Sequence, residues 1–216
     1  MSAQQTLQFE DGGSIPTSPH QYWVYKCPLR DIRWFVEKWH YSKSVNGLSA
    51  RHCFKLMDNG KMVGACIFGK MAMRNQWKPY ADSEDKVIEL RRLCCIDDTP
   101  KNTESYFISK CIKMLKSEEY EVIVSYADLT YGHSGVIYKA SNFKLVGRTT
   151  PGRVITYKGK LYHDHSIRTK YKGHLKPFAF NLKNALEDGT AQYTKTKGKN
   201  IYVYKLRKGE ESSNGD

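Results

Sequence analysis

Two apolar segments separated by one tight turn constrain the fold of this 216-residue chain more than any other feature. Segments 51–57 (RHCFKLM) and 61–69 (KMVGACIFG) flank the tripeptide Asp58-Asn59-Gly60. Asn and Gly tolerate the positive φ angles that a two-residue hairpin turn requires. The pattern therefore predicts an antiparallel β-hairpin, which any fold of this chain has to accommodate.

Further strand and helix patterns surround this hairpin. Apolar or alternating runs predict strands, and apolar residues spaced by three or four positions predict helices. The predicted strands are 22–26, 86–96, 121–127, 143–149, 153–159, 160–166 and 200–206, and the predicted helices are 29–41, 103–116, 134–141 and 180–188. This order predicts a mixed α/β (α+β) fold whose central mixed sheet has an antiparallel front half and is flanked by helices. GNAT-like acyltransferases have this order, which other mixed folds could also produce.

Length and composition predict one folded domain with loose ends. We expect residues 1–20 to be a disordered segment, 21–207 a single domain and 208–216 a flexible acidic tail. No apolar run approaches the length that spans a membrane, and the N-terminus lacks the basic and apolar parts of a secretory signal. The six cysteines form no C-x-x-C pair, so we interpret them as reduced thiols, mostly in the core, rather than zinc ligands.

The charge of the chain favours an anionic partner. The formal net charge is +13, and segment 144–176 carries nine basic residues, three tyrosines and one acid, Asp164. Cations bind phosphates, and aromatic faces stack on unpaired bases, so this composition favours nucleic acid. The alternative is a generally basic, solvated surface. The residues expected to contact DNA are Lys158, Lys160, Lys170 and Lys172.

Several unusual motifs occur in a fixed order and carry a resemblance to a known family. They are HYSKS (40–44), GACIFG (64–69), ELRRLC (89–94), PKNTESYFISKCIKML (100–115), SYAD (125–128) and GHSGVIYKASNF (132–143). Together they resemble the phage Mom family from about residue 34 to about residue 165. The resemblance implies a GNAT-like transferase that converts adenine in double-stranded DNA to N6-carbamoylmethyl adenine, which protects phage DNA from host restriction. It also implies a location in the cytoplasm of the infected host.

The resemblance further implies roles for individual residues. The catalytic candidates are His40, Tyr41, Asp128 and Tyr138, and the cofactor-binding candidates are Arg92 and Ser105. Lys101 and Asn102 are further cofactor-binding candidates, because they place a charge and side-chain donors beside Ser105 at the start of a predicted helix. Tyr131 is a candidate for stacking on the target base. Acyl-CoA, such as acetyl-CoA, and iron are the candidate cofactors, and the metal ligands and the oligomeric state stay unknown.

Each of these residues also has an ordinary structural interpretation. Asp128 ends a predicted strand, where ligands of α/β proteins often bind, but it could instead cap the helix that starts near Ser134. Tyr138 could protonate a leaving group or simply fill the core. Arg92 could bind an anion or pair with Glu89. His40 could act as a base or serve a structural role.

Two local sequence patterns differ from those expected for a coenzyme A phosphate loop and for a metal site. The segment DDTPKNTES contains no glycine, whereas the GNAT phosphate loop is typically R/Q-x-x-G-x-G/A. The segment YHDH (162–165) resembles a metal patch, but His163 and His165 share a strand face only if the strand continues through them. Alternative functions are therefore N-acylation of another amine (in a hypermodified base, a protein or a small molecule), or DNA binding without catalysis.

Overall fold

The computed structural model describes residues 18–206, and the predicted helices and strands occur close to their expected positions. The first elements are strand β1 (Trp23–Cys27), helix α1 (Leu29–Trp39), strands β2 (Ala50–Asp58), β3 (Lys61–Gly69) and β4 (Val87–Cys95), and helix α2 (Thr103–Leu115). They are followed by β5 (Val122–Asp128), α3 (Val136–Ala140), β6 (Lys144–Arg148), β7 (Arg153–Tyr157), β8 (Lys160–His163), β9 (Lys170–Tyr171), β10 (His174–Leu175), α4 (Pro177–Glu187), β11 (Ala191–Lys195) and β12 (Lys199–Lys205).

The strands form a seven-stranded sheet in the order β1-β2-β3-β4-β5-β12-β6, together with a three-stranded sheet β11-β7-β8 and the β9–β10 pair. Strand β2 is antiparallel to both of its neighbours, β1 and β3. Strand β12 is antiparallel to both β5 and β6, so β5 and β6 run in the same direction. The predicted mixed α/β class with an antiparallel front half is confirmed.

The chain divides into two compact units. Among the described residues, the first comprises 18–76 and Leu90–Glu119. Its core contains Ile32, Phe35 and Val36 of α1 together with Ala65 and Ile67 of β3. The spacing of three and four positions in α1 places its apolar residues on one face, which explains why this segment is a buried amphipathic helix.

The second unit comprises Trp77–Glu89 and the described residues 120–206. One of its cores forms where Ile155 of β7 packs with Leu182 and Ala185 of α4 and with Ala191 of β11. This core supports the three-stranded sheet β11-β7-β8, which contains part of the basic segment 144–176. The prediction of a single domain over 21–207 stays a prediction.

Several predicted boundaries change. Helix α1 ends at Trp39, because His40 is already extended with φ −78° and ψ 141°. The strand predicted over 160–166 ends at His163, and Asp164–Arg168 forms a 3₁₀ helix. Strands β9, β10 and β11 were not predicted, since each is short and polar.

The two predicted termini are only partly described. Residues 1–17 and 207–216 lie outside the described residues, whereas Ser18 caps a 3₁₀ turn formed by Pro19–Gln21. All six cysteines are free thiols. Within 18–206, none of the helices combines the length and the apolar character that crossing a membrane requires.

Candidate functional site

His40 lies directly after the last turn of α1 and is buried. Its Nδ1 accepts the backbone N–H of Ser42 at 3.1 Å and lies 2.8 Å from the hydroxyl of the same residue. The ring of Tyr41 lies beside the imidazole, with the centroids 4.3 Å apart.

Arg92 joins the same network from strand β4. Its Nε donates to the carbonyl of Ser44 at 3.1 Å, and its Nη1 donates to the carbonyl of Arg91 at 2.8 Å. The hydroxyl of Ser42 also donates to the carbonyl of Ser44, at 3.3 Å. The structure therefore brings together His40 and Arg92, which are far apart in sequence, through the 42–44 loop.

The start of α2 holds the other predicted cofactor-binding residues. Lys101 and Asn102 are exposed, and Asn102 adopts a left-handed conformation with φ 70° without a side-chain cap bond. The hydroxyl of Ser105 donates to the carbonyl of Asn102 at 2.9 Å, and Glu104 places an acid in the first turn. The side chains at the start of α2 do not match those of a GNAT-type pyrophosphate loop, and the segment that contains them has no glycine. We therefore derive no step through coenzyme A.

Asp128 is the last residue of β5 in the second unit and is only 9% exposed. Its Oδ1 accepts the backbone N–H of Thr130 at 3.0 Å, and its Oδ2 lies 3.2 Å from Nζ of Lys199. Lys199 is the cross-strand partner of Asp128 in the β5–β12 pairing. The carboxylate thus caps the 3₁₀ turn Leu129–Tyr131. It does not cap α3, whose N-cap is Gly135.

Two titratable side chains lie within electrostatic reach of Asp128. Burial, with a further contribution from the charge of Asp128, raises the pKa of the Tyr131 phenol. Burial is the largest cause that lowers the pKa of the His163 imidazole, and the charges of His165 and Lys199 lower it further. The charge of Asp128 acts in the opposite direction and raises this pKa. Tyr131 is therefore a phenol and His163 a neutral imidazole at neutral pH. The buried Asp128 carboxylate pairs with the Lys199 ammonium, and the Tyr131 phenol and the His163 imidazole lie within its electrostatic reach; we call these four residues the Asp128 cluster.

Sequence reasoning identified Asp128 and Tyr131 in this cluster but missed Lys199 and missed the proximity of His163. No local signal in the sequence indicates that Lys199 pairs with Asp128, because that pairing depends on where the last strand enters the sheet. The motif YHDH did mark His163, although for a different chemistry.

Tyr138 lies in the middle of α3 and is largely buried. Its ring packs against Phe143 and Tyr202, with centroid distances of 5.7 and 5.3 Å. The preceding Gly135 has φ +89°, and a Cβ at this position would overlap the Tyr202 ring. Gly135 therefore permits close approach of the backbone to the Tyr202 ring. Gly132 also has a positive φ, but no atom lies within 4 Å of an added Cβ there.

The metal patch suggested by YHDH is not formed. The rings of His163 and His165 stack at 5.3 Å, while Asp164 pairs with Arg153 at 3.2 Å and with Arg168 at 3.3 Å. Over residues 18–206, there is no group of three or more His, Cys, Asp or Glu side chains that could hold a metal ion. These donors do not fit an iron site, so we derive no step through iron.

The raised pKa values of three cysteine thiols argue against a cysteine nucleophile. Burial raises the pKa of the Cys53 and Cys94 thiols to about 12, and that of Cys27 to about 11. These thiols stay protonated at neutral pH, which makes them weak nucleophiles.

The four lysines predicted to contact DNA are all exposed and all lie on two hairpins of the second unit. Lys158 and Lys160 belong to the β7–β8 hairpin, and Lys170 and Lys172 belong to the β9–β10 hairpin. Tyr131, which is 45% exposed, belongs to the same unit. The predicted DNA contacts and the Asp128 cluster therefore belong to one compact unit.

Comparison with known proteins gives a consistent family. The model of the Mom protein family matches residues 21–214. The methylcarbamoylase Mom of Escherichia phage Mu is 28% identical over 145 residues, which cover 65% of this chain. The aligned part spans 59% of the length of that relative.

Solved structures of low sequence identity are also similar. A GNAT family acetyltransferase from Elizabethkingia anophelis with acetyl-CoA bound has a TM-score of 0.48 at 8% identity, covering 86% of this chain and 99% of that chain. An acetyltransferase from Bacillus subtilis in complex with CoA has a TM-score of 0.49 at 9% identity, with the same coverage of both chains.

Proposed function

Since the chain belongs to the Mom protein family, we propose that it is a DNA-modifying transferase that converts adenine to N6-carbamoylmethyl adenine. The substrate is double-stranded phage DNA in the cytoplasm of the infected host, and the modification protects that DNA from restriction. The similarity to the methylcarbamoylase of phage Mu and the net charge of +13 support this substrate and reaction class.

The observation that carries the proposal is the buried carboxylate of Asp128 at the end of β5, held by the N–H of Thr130 and by Lys199. The N6 amine of adenine is a weak nucleophile, because its lone pair is delocalised into the ring. It needs a fixed position and a proton acceptor at the moment of bond formation. In the proposed reaction, the N6 nitrogen forms a bond to the methylene carbon of the carbamoylmethyl group while the bond between that carbon and the leaving group of the donor breaks. The leaving group departs with the bonding electron pair, and the N6 proton passes to Asp128.

Tyr131 is proposed to form one wall of the adenine site. A base in a duplex is paired and stacked, so chemistry at its amine is easiest when the base is extruded from the helix. Tyr131 is the last residue of the turn capped by Asp128, and its partly exposed ring can stack on an extruded base. Its raised pKa keeps the phenol protonated, so that it can also donate a hydrogen bond.

The other predicted residues keep their predicted roles. His40 and Tyr41 stay catalytic candidates and Arg92 a cofactor-binding candidate, and His40 and Arg92 are joined through the 42–44 loop of the first unit. Tyr138 is proposed to protonate the leaving group of the donor. The proposal routes no step through acyl-CoA, whose predicted contacts were Lys101, Asn102 and Ser105, or through iron, because the described residues do not fit either group.

Nucleoside analysis tests the proposal. DNA from bacteria expressing the chain is digested to nucleosides, which are then resolved by mass. A deoxyadenosine that carries a carbamoylmethyl group supports the proposed reaction. Unmodified DNA, together with retained DNA binding by the purified protein, would instead support the non-catalytic alternative. A product on another amine would support a different N-acyltransferase.

A further inference from the structure

Two hairpins of the second unit end in the same tripeptide. The β7–β8 hairpin turns at Lys158-Gly159 between the paired residues Tyr157 and Lys160. The β9–β10 hairpin turns at Lys172-Gly173 between the paired residues Tyr171 and His174. Each turn is thus Tyr-Lys-Gly, and we call the two turns the Tyr-Lys-Gly tips.

The two tips also share their geometry. Lys158 has φ 49° and Lys172 has φ 48°, and the glycine that follows each of them has a positive φ as well. The ammonium of Lys158 lies 5.3 Å from the centroid of the Tyr157 ring, and that of Lys172 lies 5.6 Å from the centroid of the Tyr171 ring. Each tip therefore presents a cation folded over an aromatic ring at the end of a hairpin.

The turn geometry alone does not explain the lysines. Asn is the residue best suited to a left-handed position, and the β2–β3 hairpin has Asn59 there, with φ 42°. Lysine at such a position costs conformational free energy without contributing to the turn. A residue that is unfavourable for the backbone and occurs twice in the same setting indicates a role for its side chain.

The charges around the tips are not balanced by neighbouring acids. The single acid between 144 and 176, Asp164, already pairs with Arg153 and Arg168. Within the described part of the chain, neither Lys158 nor Lys172 forms an ion pair. Tyr171 is 66% exposed, so its ring is also available to a partner.

We propose that the two Tyr-Lys-Gly tips are equivalent contacts to the backbone of duplex DNA. In each tip the lysine neutralises one phosphate, and the tyrosine packs against the adjacent sugar. A nucleotide carries an anionic phosphate beside the apolar face of its sugar. A lysine held over a tyrosine ring is complementary to this pair, because the ammonium can contact the phosphate and the ring can contact the sugar. The proposal rests on the proposed DNA substrate and adds the two structural elements that hold it.

The test is the salt dependence of binding to a labelled duplex, for which the chain offers a matched control. Lys158→Asn and Lys172→Asn each remove one charge and install the residue that β2–β3 uses at this position, so the turns should fold. Lys61→Ala removes one exposed charge beside the third hairpin turn. Retained thermal unfolding temperature verifies the fold of every variant.

The expected result is stepwise. Each tip variant should reduce the slope of log K against log salt by about 0.9, and the double variant by about 1.8, while Lys61→Ala leaves it unchanged. Tyr171→Leu should weaken binding about fivefold with an unchanged slope, because its contribution is not ionic. The proposal is overturned if either tip variant retains the wild-type slope, or if Lys61→Ala reduces it equally.

Adenine modification separates this proposal from the proposed function. If the wild-type protein modifies adenine but the tip variants keep its salt slope, only the assignment of the tips is wrong. If the slopes fall as expected but adenine stays unmodified, the tips contact DNA and the transferase reaction is wrong.

Discussion

At the scale of single residues, Asp128 is held by two donors from different parts of the chain. The N–H of Thr130 comes from the turn that follows β5, and the ammonium of Lys199 comes from the neighbouring strand. The side chain of Asp128 is 11% exposed and that of Lys199 is 42% exposed, so water reaches the lysine more readily than the carboxylate. We infer that Lys199 is a positioning residue, which fixes the carboxylate orientation without touching the base.

Replacement of Lys199 tests this positioning role. Lys199→Met should lower the turnover of adenine modification roughly tenfold, because a misplaced catalytic group loses rate even when it is still present. Lys199→Arg retains the charge and should restore most of the rate. The measurement is the rate of modified adenine formation at saturating DNA. Full activity of Lys199→Met, or equal impairment of Lys199→Arg, would remove Lys199 from the account.

A buried histidine on β2 makes stability depend on pH. Burial lowers the pKa of His52, although Glu118, 3.6 Å from its Nδ1, acts in the opposite direction. The folded state therefore binds this proton more weakly than the unfolded state, whose imidazole has a pKa of about 6.5. The stabilisation is complete above that pH and is lost as the pH falls below it toward the folded-state value.

His52→Gln should consequently reduce the pH dependence of unfolding. Thermal unfolding temperatures at pH 7.5 and pH 5.5 give the comparison for the variant and the wild type. We expect a smaller decrease on acidification for the variant, because glutamine does not titrate. Parallel pH profiles would show that His52 does not contribute.

At the scale of elements, close packing between α3 and β12 depends on one glycine. Gly135 lies against the ring of Tyr202, whose hydroxyl donates to the carbonyl of Ser134 at 2.8 Å. Gly132, three residues earlier, has a similar positive φ but open space around it. Substitutions at these two positions can therefore distinguish the cost of backbone strain from the cost of steric overlap.

Alanine at the two positions should have different costs. Gly132→Ala should lower the free energy of unfolding by about 1 kcal/mol, through backbone strain alone. Gly135→Ala adds overlap with Tyr202 and should cost about 3 kcal/mol. Urea unfolding measures both. Equal costs would contradict the packing described for α3.

The elements also show which features the sequence can predict. Helix α1 follows from its apolar spacing, and the β2–β3 hairpin follows from Asn59-Gly60, because both signals are local. The insertion of β12 between β5 and β6 is not local, and the Asp128–Lys199 pair depends on it. The stacking of His163 on His165 was likewise unpredictable, since the strand ends at His163 before the 3₁₀ helix begins.

At the scale of the whole molecule, the chain combines a strong positive charge with a buried carboxylate. The 35 basic residues outnumber the 22 acidic ones, and the exposed lysines of the two hairpins belong to the same unit as Asp128. A positive surface attracts DNA at long range, whereas a single carboxylate acts only on the group placed beside it. Binding and catalysis should therefore be separable by mutation.

The measurement that tests the central claim most directly is modified adenine per genome in cells that express Asp128→Asn at the same soluble level as the wild type. Asparagine retains an oxygen that can accept the N–H of Thr130, so the turn should keep its cap while the proton acceptor is lost. We predict unchanged DNA binding and at least about 100-fold less carbamoylmethyl adenine, the usual scale for loss of a general base. Near-normal modification by Asp128→Asn would contradict the account and leave Asp128 with a capping role alone.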